Sequence, residues 1–188
     1  MPSPIGHLLA GAGVFLASTS TTRESRVVLA VTMAGSILPD FDFVPGILIG
    51  EPAAFHHGIS HSLAAAVLFG ALVFVIANVW WQKSTASHAA LLGSLAYGLH
   101  ILLDFISANH SVPILWPISG EKLGVNLNLF GHFHHSGLKD GVWSVLHWMN
   151  LEPVVRELII LSIPVLYLLR RRGSELVGYK ENEKPYEC

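Results

Sequence analysis

The sequence predicts an all-α protein, a polytopic membrane helix bundle of about five helices with a mixed loop segment on its extracytoplasmic side. Three observations lead there. Of 188 residues, 52% are hydrophobic and only 13% charged, a balance too apolar for an ordinary soluble domain. The run from Leu63 to Trp81 carries no charge and is long enough to cross a hydrocarbon layer as a helix. Other apolar stretches recur between polar or Gly/Pro-rich connections. The chain reads as one domain over residues 1–172 with a hydrophilic tail at 173–188.

In order, the apolar stretch from Met1 to Ser18 has no Lys or Arg ahead of its core, so it is expected to stay as a first helix rather than be cleaved as a signal peptide. A polar hinge at Ser18 to Ser25 leads to a second helix, Val27 to Leu38. Pro39, Asp40 and Asp42 are expected to end it. A Gly/Pro-rich connection, Val44 to Phe55, precedes His56-His57-Gly58-Ile59-Ser60-His61-Ser62, with Ser60 the expected N-cap of a long helix from Ser62 to Trp81. Such a cap would turn free N–H groups and the positive end of the helix dipole toward the histidines, which suits an anionic ligand. After a turn at Lys83, Ala86 to Ile106 forms the fourth helix. It is apolar except at His88, His100 and Asp104, and the last two share a face at i, i+4. Ser107 to Glu152 is mixed, with a surface helix expected from Asp140 to Asn150. A last helix, Val154 to Leu169, is expected to stop at Arg170-Arg171-Arg172.

Several function classes fall away on composition. Net charge is −2 and no basic stripe with interleaved aromatics occurs, so nucleic acid is not an expected partner. The lone Cys188 offers no disulfide framework. Eleven histidines, many near acids, suggest metal or proton chemistry more than packing. Nothing in the sequence sets an oligomeric state.

Basic residues follow the first, third and fifth helices: Arg23 and Arg26, Lys83, and Arg170 to Arg172. If that side is the cytoplasm, the opposite helix ends lie outside. His7, Asp40, Asp42, His56, His57, His61, His100 and Asp104 then reach one extracytoplasmic layer from four helices. An ionisable residue inside a membrane helix costs roughly 3 kcal/mol, so these groups are expected to neutralise one another around a cation.

Gly6-His7-Leu8-Leu9, Leu38-Pro39-Asp40-Phe41-Asp42, the His56 to Ser62 stretch, His100-Ile-Leu-Leu-Asp104 with Ser107, and Val112-Pro113-Ile114-Leu115-Trp116-Pro117 occur in that order. Together they resemble the YdjM-like membrane-bound metal-dependent hydrolases, the LexA-regulated inner-membrane hydrolase type, over residues 6–117. The resemblance implies a multi-pass protein of the inner (plasma) membrane and a hydrolase domain. It implies His56 and His61 at the two histidine positions of a His-Arg-Gly-x-Thr-His-Ser pattern. His57 replaces the arginine and Ser60 the threonine; if that arginine holds a substrate phosphate or carboxylate, an imidazole in its place would hold it less firmly.

Each residue also has a plainer reading. His100 with Asp104 fits a buried hydrogen-bonded pair joining helices, and Asp40 with Asp42 fits a solvated turn. Their company favours metal ligation: His7, Asp40, Asp42, His56, His61, His100 and Asp104 are the candidate ligands. His57 fits a substrate contact as well as a ligand, and His7 an interfacial side chain. Ser60 and Ser62 read as caps rather than nucleophiles, since no triad is identifiable. His132, His134 and His135 read as an external loop group, His88 and His147 receive no role, and Trp80, Trp81, Trp143 and Trp148 read as interface anchors.

The expected activity is hydrolysis by a metal-activated water, with one or two divalent ions, Zn or Mn. Asp42, His61 and His57 are the candidate catalytic residues, and His57, Ser60 and Ser107 the candidate substrate contacts. A site at the headgroup layer points to an ester or phosphoester of a lipid or lipid-linked substrate. A divalent-ion transporter and a structural or regulatory membrane protein with a bound metal are the alternatives.

Overall fold

The computed structural model describes residues 2–18, 25–51, 55–107, 111–125, 127, 129–131 and 147–182, with side chains to Arg172 except that of Ser25. Arg23, the His132, His134 and His135 group, Trp143 and most of the surface helix expected from Asp140 lie outside these residues.

Helix α1, Pro4–Ala17, starts where the Ser3 hydroxyl accepts the Gly6 N–H and Pro4 supplies a preset φ. Helix α2, Ser25–Ile37, ends just ahead of Pro39, as the sequence suggested, but the helical path does not stop there. Pro39 enters the first turn of a 3-10 segment, Leu38–Asp42, where its missing N–H costs nothing, and a short helix α3, Phe43–Leu48, continues the path. The result is an apolar helical run of 23 residues from Arg26 to Leu48. Helix α4, Leu63–Trp80, is capped by Ser62, whose hydroxyl accepts the Ala65 N–H. Ser60, the expected cap, instead lies in a 3-10 turn, Ile59–His61. Helix α5 begins at Lys83 and reaches Ser107. Helix α6, Leu151–Asn182, passes through Arg170 to Arg172 and beyond the expected stop, because exposed arginines are good helix formers and do not end a helix.

Three runs are long and apolar enough to cross a membrane: Arg26–Leu48, Leu63–Trp80 and Lys83–Ser107. Their burial separates their roles: 56% of the most apolar window of α5 is buried against 17% for α4, so α5 is the central helix and α4 a peripheral one. Small residues let the backbones approach α5. A Cβ on Gly35 would lie 2.5 Å from the Gly93 carbonyl oxygen, and one on Gly70 would lie 2.9 Å from the Ser94 Cβ. Apolar packing fills the gaps, with Val28, Ala89 and Leu92 joining α2 to α5, and Ala66, Tyr97 and Ile101 joining α4 to α5 under Val112.

A hairpin closes one end of the bundle. Val112 and Leu123 exchange both backbone hydrogen bonds, at 2.8 and 2.9 Å. The N–H groups of Val125 and Leu127 satisfy the Phe105 and Ile106 carbonyls left open at the end of α5, and the Ile114 carbonyl accepts the Leu63 N–H at the start of α4. The other end gathers the basic residues: Arg172 donates to the Ser18 carbonyl at 3.1 Å, while Arg26 and Trp81 line one crevice between α2 and α4.

Packing at Gly35 is testable. Gly35→Ala is expected to destabilise the bundle by about 1–3 kcal/mol through overpacking, whereas Gly98→Ala, with no atom within 4 Å of its added Cβ, is expected to be neutral or stabilising. Thermal midpoints in detergent check this, and equal midpoints for the two variants would exclude a close α2–α5 crossing.

Candidate metal centre

The closed end of the bundle holds the ionisable residues. α1 brings His7, the 3-10 turn after α2 brings Asp40 and Asp42, the turn before α4 brings His56, His57 and His61, and α5 brings His100 and Asp104. The i, i+4 spacing puts His100 Nε2 3.2 Å from Asp104 Oδ2. The connection before α4 turns sharply: His57 has φ of 56°, in the left-handed region that histidine visits more readily than most residues. Gly58 allows the turn, since a Cβ there would meet the Phe55 carbonyl oxygen at 2.8 Å.

Two rings of contacts differ in spacing. In the outer ring Asp42 is fully engaged by ordinary hydrogen bonds. Its Oδ1 faces His56 Nδ1 at 2.9 Å, and its Oδ2 accepts from the Ser60 hydroxyl at 2.8 Å, the Gly58 N–H at 3.3 Å and His61 Nδ1 at 3.2 Å. In the inner ring the distances are longer. Asp104 Oδ2 lies 3.4 Å from His61 Nε2, and Asp104 Oδ1 lies 3.5 Å from His7 Nε2. Asp40 Oδ1 lies 3.5 Å from His100 Nε2 and 3.8 Å from His61 Nε2.

The ring nitrogens explain the difference. His100 Nδ1 is 2.8 Å from the Ser36 carbonyl, which can only accept, so that nitrogen carries a proton. His61 Nδ1 is likewise turned to Asp42 and to Ser60. A neutral ring at either position therefore presents its lone pair at Nε2, and these two atoms face each other at 3.4 Å. Only a cation or an added proton can be shared between them. Asp40 Oδ1, both Asp104 oxygens and both His7 nitrogens are buried without a hydrogen-bond partner.

A cation would resolve this arrangement. Donors about 2.0–2.2 Å from a shared ion lie about 3–3.5 Å from one another, close to the inner-ring spacings. Two overlapping donor sets form: His7, Asp40, His100 and Asp104, and His57, His61 and Asp104. Asp104 belongs to both, and nitrogen and carboxylate donors together suit a borderline divalent ion. In the absence of a cation, burial disfavours protonated His61. Asp104, Asp40 and Asp42 outweigh that and raise its pKa to about 11, so a proton then balances the carboxylates.

Asp42 and His56, expected among the ligands, stand outside both donor sets and orient the ring of His61. Ser60 joins the Asp42 network, while buried Ser107 turns its hydroxyl to the Leu103 carbonyl of its own helix. Three supports were not singled out in the sequence. Tyr97 donates to the Ser60 carbonyl at 2.8 Å, and its spacing of three from His100 on one helix face would have revealed it. Buried Glu157 of α6 accepts the Ser3 N–H at 2.8 Å and bonds the Ser3 hydroxyl, fixing the start of the helix that carries His7. Its clue was an acid beside Arg156 in the largely apolar stretch from Val154 to Leu169. The Ser36 carbonyl, being backbone, left no clue.

A family model described as YdjM inner membrane protein matches residues 1–173, from ahead of α1 into α6. The chain belongs to this family. The match reaches well past residue 117, where the motifs end, and agrees with three membrane-crossing runs and an inner-membrane location. The family's description names a location and no reaction. No curated protein and no solved structure matches the chain.

The two rings predict graded effects on cation binding, measured by metal analysis and titration calorimetry of protein purified without a metal-affinity step. Asp104→Asn is expected to abolish high-affinity binding, whereas Asp42→Asn is expected to weaken it by about 10–100-fold, as for partners that orient a ligand. Equal losses would reject the division. Because His61 is protonated up to about pH 11 without a cation, binding at pH 7 is expected to release a proton and to tighten as pH rises. Calorimetry in buffers of different ionisation enthalpy reads that release.

Proposed function

We propose that this YdjM family protein is a divalent-cation-dependent hydrolase acting on an ester or phosphoester of a lipid or lipid-linked substrate at the extracytoplasmic face of the inner membrane. The observation that carries the reading is the facing pair of His61 Nε2 and His100 Nε2, 3.4 Å apart with their other nitrogens engaged, beside Asp104 and Asp40. His7, Asp40, His61, His100 and Asp104 would hold the cation, Zn or Mn, with His57 able to complete a second position next to Asp104. Bound there, the ion would polarise a phosphoryl or carbonyl oxygen and lower the pKa of a water at the site.

The chain's own groups supply the rest. Asp42 and Ser60 hold Nδ1 of His61 so that its Nε2 keeps a lone pair for the cation. His56, with 26% of its side chain exposed and its Nδ1 on Asp42, is the imidazole best placed to exchange a proton with solvent during turnover. Basic residues at the opposite end of the bundle, Arg26, Lys83 and Arg172, support the orientation that turns the cluster outward. A cluster at one end of the bundle favours surface chemistry over transport, which calls for a site near the midplane.

The test is a phosphatase and lipid-hydrolysis screen on metal-analysed protein, with and without chelator. Turnover is expected to disappear on chelation, to return on adding back Zn or Mn, and to be lost in His61→Ala with the helical content unchanged. Turnover indifferent to both chelation and His61→Ala would overturn the assignment. Collapse of the fold in that variant would favour a structural cation.

A further inference from the structure

The mouth of the cluster differs in chemistry from its interior. His7, His61, His100 and Asp104 have 0–1% of their side chains exposed, while Asp40, Asp42 and His56 reach 14%, 9% and 26%. A ligand therefore enters past Asp40, Asp42 and His56. The neighbours of those three residues along the chain are apolar and exposed: Phe41 at 51%, Phe43 at 37%, Phe55 at 46%, and Ile59 at 59% on the turn that carries His61. The rings of Phe41 and Phe43 lie with centroids 6.2 Å apart and planes inclined by 24°. A polar pocket fed from water has no use for an aromatic rim of this kind.

Depth supplies an occupant. Phe41 and Phe43 belong to the 23-residue apolar run that begins at Arg26. At about 1.5 Å per residue, Asp40 and Asp42 stand about 21–24 Å along that run, within a hydrocarbon layer about 30 Å thick. Exposed Phe43, Val44, Ile47 and Leu48 continue the apolar surface beyond the acids. The rim is thus continuous with the lipid-facing surface of a membrane-crossing helix.

We infer that the mouth opens among acyl chains, where Phe41, Phe43, Phe55 and Ile59 seat the hydrocarbon chain of a bilayer-resident amphiphile whose anionic head reaches the cluster. The anionic head rests on the cation reading above; the rim does not. A wholly water-soluble ligand would have to cross the rim to reach Asp40, so the rim selects for a chain as the cluster selects for a head.

Cysteine labelling in lipid nanodiscs tests this. In a Cys188→Ser background, the environment-sensitive fluorophore NBD is attached at Phe41→Cys, at Leu72→Cys on the exposed face of α4, and at exposed Glu51→Cys. Emission from position 41 is expected to be blue-shifted like that from position 72, quenched by brominated phospholipid, and several-fold less quenched by iodide than that from position 51. An Ile59→Cys label serves should the Phe41 variant fail to fold. Two nitroxide-tailed amphiphiles of equal chain length, one alkyl phosphate and one alkyl trimethylammonium, are then compared at equal membrane loading in protein loaded with Zn. Several-fold stronger quenching by the phosphate is expected. Iodide quenching equal to that at position 51 would overturn the rim, and equal quenching by the two amphiphiles would overturn the anionic seat. A phosphate preference that survives chelation would overturn the cation reading and leave the rim supported.

Discussion

Three carboxylates and five imidazoles at one end of an apolar bundle set an electrostatic condition that the rest of the fold has to meet. Asp104 and His100 lie on a largely buried helix, where an uncompensated charge or an unpaired polar atom is costly. A hydrogen-bonded network would meet the condition with spacings near 2.7–3.0 Å, as Asp42 does with His56 and Ser60. The inner groups stand mostly 3.4–3.9 Å apart. Two imidazoles whose protons are committed elsewhere cannot close that gap with one another, so the inner spacing suits a shared ion better than direct pairing.

Holding those groups apart requires rigid backbone on every side, and small residues provide it. Gly35 and Gly93 bring α2 and α5 close enough for the Ser36 carbonyl to reach His100 Nδ1. Gly70 and Ser94 do the same for α4, and Tyr97 ties the turn before α4 to α5. The hairpin supplies the missing partners at the ends of α4 and α5, which leaves no open carbonyl at Phe105 or Ile106 to compete for a cation one turn from Asp104. His7 arrives by a separate route, with Glu157 and Ser3 fixing the start of α1 and the His7 ring stacking on His100 at 3.7 Å.

Much of this was legible because helical periodicity and membrane depth are properties of sequence. His100 and Asp104 announced a shared face, and the basic residues after alternate helices implied a common end for the acids and histidines. What stayed hidden depends on backbone direction. Asp40 and Asp42, two residues apart, read as equivalent ligands. A 3-10 turn aims Asp40 into the donor set and Asp42 at His56, Ser60 and His61, a distinction that composition cannot express. Pro39 read as a stop and α2 does end before it, yet at the first turn of a new 3-10 segment the proline lets the helical path continue, which its residue type does not announce. Ser60 and Ser62 were both fit to cap α4, and the choice fell to the hydroxyl that Asp42 did not claim.

The depth of the cluster also reconciles two demands of the proposed chemistry. Hydrolysis consumes water, which argues for access to solvent, while a lipid-borne substrate argues for access from the bilayer. A site at the midplane would satisfy only the second, and a site on an outer loop only the first. On the proposed orientation the cluster lies near the end of the hydrocarbon layer, with His56 partly exposed on one flank and Phe41 and Phe43 on an apolar surface continuous with the spanning run. A cation held at this depth would gain strength from low dielectric without a charge buried at the centre of the membrane. The same placement explains why His57 can stand where the resembling pattern has arginine. Beside Asp104 and stacked on His56, an imidazole could add a donor to a cation set, a task a guanidinium with no lone pair to offer cannot perform.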